Sequence, residues 1–365
     1  MDLFSEASGG GGRVLTPRHI SVDKAIPHAN NHVNTTVLCH SYSVQPDFNT
    51  YITALQSYAW VIWSSELVVL LAICLLYVIT MKSALKHWRH NVDNVAVVLA
   101  VYPVVAAAAF LATILPRARI LTEAIEQQAV MVAMYYLFCM IIADFGGFEQ
   151  LERRAAGARL ETRVPPCCCW PCCFIPQPNI QKRNLKLLRY LVLQMPVIQG
   201  LIYILILILW AESMMLYHRC FVYIQPFIIA SILTGVWGMI MTVRTAGSLG
   251  CNARPRFFAV QLTLLIVKLQ SGFAKVLPEI VHLPCVLPLN PSVFVNMINN
   301  AIMILEMLLL TILAWRLYGR PASKNINKLP QVVVAVLEDN PRSLELKVTK
   351  DGIDNRSYNS NLVIE

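Results

Sequence analysis

Along one otherwise apolar stretch of this 365-residue chain, Gln261, Lys268, Ser271, Lys275 and Glu279 recur at steps of three, four or seven, with Gly272 among them. In a helix those steps fall on one face. An ionisable side chain in hydrocarbon costs at least ~2.5 kcal/mol, so the stripe is expected to face other helices, a water-filled cavity or a partner chain. The chemistry that these residue types offer is recognition: two lysines one heptad apart attract an anionic amphipath, and the apolar residues beside them accept a ring system or an acyl tail. A structural reading stands next to it. Lys275 would extend to the outer interface, and Lys268 would pair with a carboxylate, for which Glu66 in the first apolar run and Glu306 in the last are the candidates.

The elements that must position this stripe are seven apolar runs, each set against the ~30 Å of a bilayer core: Ala59 to Thr80, Val95 to Leu115, Ala129 to Ala143, Tyr190 to Ala211, Cys220 to Val243, Phe257 to Ile280 and Val295 to Trp315. With 56% hydrophobic and 14% charged residues, the chain is too apolar for a water-soluble globule. Its net charge of +9 flanks the runs instead of forming one long polar face, which argues against nucleic acid as a partner. Lys82, Lys86 and Arg89 follow the first run, Arg153, Arg154, Arg159, Arg163, Lys182, Arg183 and Lys186 the third, Arg244, Arg254 and Arg256 the fifth, and Arg316, Arg320, Lys324 and Lys328 the seventh. The alternate loops hold only Arg117, Arg119 and Arg219. This bias predicts an all-α membrane protein of seven transmembrane helices with its N-terminus outside and its C-terminus in the cytoplasm.

Residues 1–57 then form an extracellular tail, 58–317 the membrane domain with a cytoplasmic loop at 146–189, and 318–365 a cytoplasmic tail. The sequon Asn34-Thr35-Thr36 falls in the segment that the charge bias places outside, which makes Asn34 a glycosylation candidate. No basic-then-apolar leader with a small-residue cleavage site precedes the first run, so that run is expected to direct insertion.

Eleven cysteines divide by compartment. Cys167, Cys168, Cys169, Cys172 and Cys173 crowd the long cytoplasmic loop, where reducing conditions argue against stable disulfides. Cys169 and Cys172 form a CxxC, yet the loop supplies no His and no distant second pair for zinc. Juxtamembrane thiols beside Trp170, Phe174 and basic residues suit S-palmitoylation, which would pin the loop to membrane lipids; metal binding and plain packing remain the alternatives. Outside lie Cys39, Cys220 and Cys285, an odd set from which one disulfide could form and whose pairing the sequence does not choose. Cys74 and Cys139 read as small packing residues in spans.

Asp144-Phe145-Gly146-Gly147 closes the third run as a helix stop with a tight turn. Pro103 and Pro196 bend spans, while Gln194 and Gln199 offer hydrogen bonds between helices. Small and polar residues within the spans also permit a higher oligomer. Seven spans suit a G-protein-coupled receptor, but the third run lacks the acid-Arg-Tyr switch and the seventh lacks Asn-Pro-x-x-Tyr. No set of His, Asp and Glu converges at one membrane depth for an intramembrane metal hydrolase. No phosphate loop ends in Lys-Ser or Lys-Thr, so neither a cofactor nor ATP hydrolysis is expected. An acylated scaffold without transport activity is the remaining rival.

Seven spans with the N-terminus outside, the acid-Phe-Gly-Gly closing the third, the Cys167 to Cys173 cluster broken by Pro171, and Ile304-Leu305-Glu306 before a basic stop together resemble the alpha subunit of the organic solute transporter. The likeness runs from the first span to Arg320. It implies a non-enzymatic, facilitated and bidirectional transport of steroid-derived anions such as bile acids and steroid sulfates at the plasma membrane, with a separate single-span beta subunit. The Lys268 and Lys275 stripe is not part of what the resemblance carries.

Overall fold

The computed structural model describes residues 46–155, 160, 162, 164, 178–251, 253–280 and 291–319. Its elements are helices: α1 (Phe48–Leu55), α2 (Ser57–His87), α3 (Val92–Ile114), α4 (Arg119–Asp144) entered through a single tight turn at Pro116–Ala118, α5 (Phe148–Arg154), α6 (Lys182–Glu212), α7 (Met214–Ser248), α8 (Arg254–Ile280) and α9 (Pro291–Tyr318). All but α1 and α5 are long and apolar enough to cross a membrane, so seven candidate spans are present. At ~1.5 Å per residue the 31 residues of α2 reach about 46 Å, well past the hydrocarbon thickness, so the helix ends stand in the headgroup layers.

The third span differs from the sequence expectation. The apolar window opens at Ala129, but the helix begins ten residues earlier, at Arg119. Pro116 starts it, lacking the N–H that a helix N-terminus leaves unsatisfied in any case, and the polar residues Glu123, Glu126 and Gln127 are carried inside because their face is covered by other helices. Its end is as the motif predicts. Gly146 and Gly147 both have positive φ, +84° and +99°, and their N–H groups donate to Ala143 O at 2.9 Å and Ile142 O at 3.0 Å. That pair of bonds satisfies two of the last carbonyls of α4 and turns the chain sharply into α5.

Helix α4 is the hub, packing on α3, α6, α7 and α8. A cluster of Val98, Tyr102, Met131, Met134, Phe138 and Met307 fills the interior where α3, α4 and α9 meet. Ala106 and Ala109, fully buried on α3, let backbones approach closely, which drives helix association in lipid, where hydrophobic burial alone gives little. On the other flank α6 packs along α7, with Gly235 seated directly against Met195. Tyr135 meets Arg189 and Gln127 meets Tyr203, which makes α4 and α6 antiparallel. Peripheral α2 turns Trp60, Val61, Val68, Leu71 and Leu75 outward, a surface suited to hydrocarbon and unsuited to water. Helices α7 and α8, consecutive in the chain, touch only over a short stretch. That gap holds the site.

Candidate functional site

A cavity of about 240 Å³ lies between α4, α6, α7 and α8, running from mid-bundle toward the ends of the spans opposite the arginine-rich face. Helix α8 contributes Lys268, Ser271, Gly272 and Lys275; α4 contributes Glu123 and Gln127; Tyr203 comes from α6 and Phe221 from α7. The lysines are treated differently. Lys275 Nζ lies 2.7 Å from Glu123 Oε1 and 4.9 Å from the centre of the Phe221 ring, so its charge is met by a carboxylate and by an aromatic face. Lys268 Nζ instead donates to Gln127 Oε1 and stands 3.4 Å from the Tyr203 hydroxyl. Among the described residues its close partners are neutral oxygens.

Gln127 organises this arrangement. Its Oε1 accepts from both Lys268 and Tyr203, and its Nε2 donates to Glu123 Oε1 at 3.1 Å, with the Ser271 hydroxyl 3.5 Å away. One amide therefore links the paired lysine to the unpaired one. Neutral oxygens solvate an ammonium only in part, and a buried charge without a counter-ion is costly.

Other polar residues of the stripe lie elsewhere. Gln261 is on α8 outside the cavity wall, its Oε1 buried without a hydrogen-bond partner among the described residues. Glu279 falls in the last turn of α8, with its side chain outside the described residues. Neither carboxylate proposed for Lys268 meets it: Glu306 accepts from Gln270 on a different face of α8, and Glu66 is buried on α2, 5% exposed. Sequence reasoning missed Glu123, Gln127 and Tyr203. The usable signal for the first two was Pro116 as a helix start followed by acids and amides at i, i+3 and i+4.

A second, apolar groove of about 570 Å³ runs between α3, α4 and α6, walled by residues such as Val101, Val104, Ile125 and Ile204. Gln128 lies in it, donating to Pro196 O at 3.0 Å, the carbonyl of the proline inside α6, while Gly200 leaves room for that amide. Tyr203 lines both spaces. Its ring divides a charged chamber from an apolar one.

At the arginine-rich face the spans are tied by Arg256. Its Nη1 lies 3.2 Å from Asp144 Oδ2, and its guanidinium carbon sits 4.0 Å and 5.6 Å from the ring centres of Trp88 and Tyr318. Asn91 Nδ2 donates to Asp144 Oδ1 at 3.1 Å and to Met140 O at 2.9 Å. Ends of α2, α3, α4, α8 and α9 meet there. Beside them burial pushes the Cys251 thiol up to about 11, so it stays protonated and inert near neutral pH.

Cys74, Cys139, Cys220 and Cys251 are free thiols. Cys39 and Cys285, the cluster Cys167, Cys168, Cys169, Cys172 and Cys173, and Asn34 lie outside the described residues. Among the described residues no group of three or more His, Cys, Asp or Glu could hold a metal ion.

A seven-span helical membrane protein with a charged chamber inside the bundle is the class that fold and site define. Within it, the model of the organic solute transporter Ostalpha family matches residues 61–324, and the chain belongs to that family. It is 26% identical over 230 residues to an organic solute transporter alpha-like protein of Drosophila melanogaster, covering 62% of this chain and 70% of the relative. To the organic solute transporter subunit alpha of Danio rerio it is 24% identical over 239 residues, 63% of this chain and 73% of the relative. To the organic solute transporter alpha-like protein 3 of Caenorhabditis elegans it is 25% identical over 304 residues, 77% and 82% respectively. No solved structure matches. The family is one of transporter subunits, and a subunit implies a partner.

Proposed function

We propose that this chain is the alpha-type subunit of a facilitative transporter of amphipathic organic anions, steroid-derived in the manner of bile acids or steroid sulfates, acting with a single-span beta subunit at the plasma membrane. The observation that carries the reading is Lys268, a lysine in the chamber wall held by neutral oxygens while its neighbour Lys275 is matched by Glu123. A chamber of about 240 Å³ is smaller than the ~300–1,000 Å³ typical of sites that enclose a drug-sized ligand. It suits a sulfate or carboxylate headgroup with some water. The apolar groove behind Tyr203 suits the hydrocarbon body, so an amphipath would be held across the tyrosine, charge at Lys268 and rings among Val101, Val104 and Ile204.

In this reading the N-terminus is outside, Asn34 carries a glycan, Cys220 is a free thiol so that the outside disulfide joins Cys39 to Cys285, and the five clustered cysteines are acylated at the inner leaflet. Solute moves down its own gradient. The test is uptake of a labelled steroid sulfate into vesicles that contain this chain with and without a single-span partner. Partner-dependent uptake is the expected result. No partner-dependent uptake of any amphipathic anion would overturn the reading and favour an acylated scaffold.

A further inference from the structure

Gln270 and Glu306 make a polar contact on a flank of the bundle that is otherwise apolar. Gln270 Nε2 donates to Glu306 Oε2, joining α8 to α9, and both residues are half-buried. Glu306 stands fifteen residues from Pro291 and twelve from Tyr318, about 22 Å and about 18 Å along the helix at ~1.5 Å per residue, which is mid-membrane depth. The surface around it is open: Ile302, Leu305 and Leu309 of α9 and Leu269 and Phe273 of α8 are all exposed. At about 100° per residue, Glu306 falls at the edge of that exposed face, on the side that meets α8. Asn299, also half-buried, lies one heptad earlier along the same edge. The outer groove between α8 and α9 therefore carries a carboxyl and two amides in an apolar setting.

An exposed apolar face needs no protein partner in a bilayer, because lipid chains cover it as well as another helix would. A polar position within that face is different. Lipid chains offer no hydrogen-bond donor, so a carboxyl turned toward them stays costly in either protonation state. The donor from Gln270 engages one of its two oxygens, and a carboxyl can accept several bonds. A second copy of this chain is a poor occupant: a two-fold axis along the membrane normal would bring two Glu306 carboxyls to one depth across one narrow contact, acid against acid. A helix from a separate chain meets no such conflict. A groove between two helices accepts a third by the same interdigitation that joins the first two, and the chain belongs to a family of transporter subunits.

We propose that the outer groove between α8 and α9, centred on Gln270 and Glu306, is where a single transmembrane helix of a separate chain docks, offering a hydrogen-bond donor to the Glu306 carboxyl at mid-membrane depth. The proposal rests on the reading that this chain acts with a single-span subunit, and it assigns that subunit a place. Docking there leaves the charged chamber, on the opposite face of α8, open to solute.

The test uses the full chain expressed in cells with the single-span subunit of the proposed complex. A photocrosslinking amino acid is placed at Leu309 or Phe273 in the groove, or at Val68, which points outward on α2. Crosslinks to the single-span chain are expected from Leu309 and Phe273 and not from Val68, at positions near the middle of the partner's span. Glu306→Leu should lower the partner recovered with this chain by about fivefold, the value of one hydrogen bond between helices in lipid, while Glu306→Gln, which still accepts, should keep most of it. Crosslinks from Val68 but not from the groove, crosslinks to a second copy of this chain, or none from either groove position would each overturn the docking site. Full recovery of the partner by Glu306→Leu would overturn the role of the carboxyl. Solute uptake is read in the same cells. Partner-dependent uptake with crosslinks elsewhere would sink this docking site and leave the transport reading standing; groove crosslinks without uptake of any amphipathic anion would do the reverse.

Discussion

Lys275 Nζ and Glu123 Oε1 stand 2.7 Å apart, joined across 152 positions of chain, and the pair splits the lysine stripe of α8 into one charge already answered and one that is not. The side chains are 31% and 16% exposed, buried enough that removing one leaves the other stranded. Lys275→Gln should therefore lower stability by about 3 kcal/mol, the low end for a broken buried pair, and reduce the amount of protein reaching the surface. Adding Glu123→Gln should recover most of the loss. Thermal unfolding in detergent, with surface labelling, checks both; a double variant as unstable as the single would mean the pair is not the cause.

Tyr203 separates the charged chamber from the apolar groove. Tyr203→Phe removes only the hydroxyl that meets Gln127, a change of about 1 kcal/mol, and should raise KM modestly with the range of solutes unchanged. Tyr203→Ala joins the two spaces at a stability cost of about 3–5 kcal/mol. It should let bulkier conjugated anions compete for uptake. Competition profiles that are the same in the Ala variant and the wild type would remove the tyrosine as a divider.

Much of the fold is legible in the sequence because hydrocarbon imposes length and charge rules that are hard to evade. The seven runs correspond to seven helices, and the Gly146-Gly147 stop forms as its motif requires. What failed was the start of the third span. A hydropathy window cannot distinguish a polar helix face covered by other helices from a loop, and Glu126 and Gln127 are buried with Glu123 half-buried beside them. Glu123, the partner of Lys275, lies outside the third apolar run, and apart from the stripe itself only Glu66 and Glu306 supply a carboxylate within the seven runs. Periodicity placed Lys268, Ser271 and Lys275 together; it could not say which neighbouring helix they would meet, because that depends on the rotation of α8 against α4.

Arg256 joins Asp144 with side chains only 11% and 5% exposed, and its guanidinium carbon sits over the Trp88 ring, 4.0 Å from the centre. Arg256→Ala should lower stability by about 3–5 kcal/mol, since it leaves a buried carboxylate without its counter-charge. Arg256→Lys keeps the charge but loses the planar stacking and should recover only part. Unfolding midpoints of both variants are compared with wild type; a Lys variant as stable as wild type would show that the ring contact contributes nothing, and one no more stable than the Ala variant would show that the charge contributes nothing.

The two glycines after α4 should differ. A β-carbon at Gly147 would meet no atom within 4 Å, yet its φ of 99° and ψ of −179° belong to a region nearly restricted to glycine. Gly147→Ala should cost about 2 kcal/mol from backbone strain alone, and Gly146→Ala, in the left-handed helical region, about 1 kcal/mol. Unfolding midpoints in the reverse order would contradict this geometry.

The most direct test of the transport account is the concentration dependence of labelled steroid sulfate uptake by Lys268→Gln, compared with wild type at matched surface density and with the partner subunit present. If the ammonium of Lys268 receives the anionic headgroup, KM should rise by roughly 10- to 100-fold, the value of one charge-assisted hydrogen bond, while surface delivery stays unchanged. An unaltered KM, or uptake that falls only in proportion to lost surface protein, would contradict it.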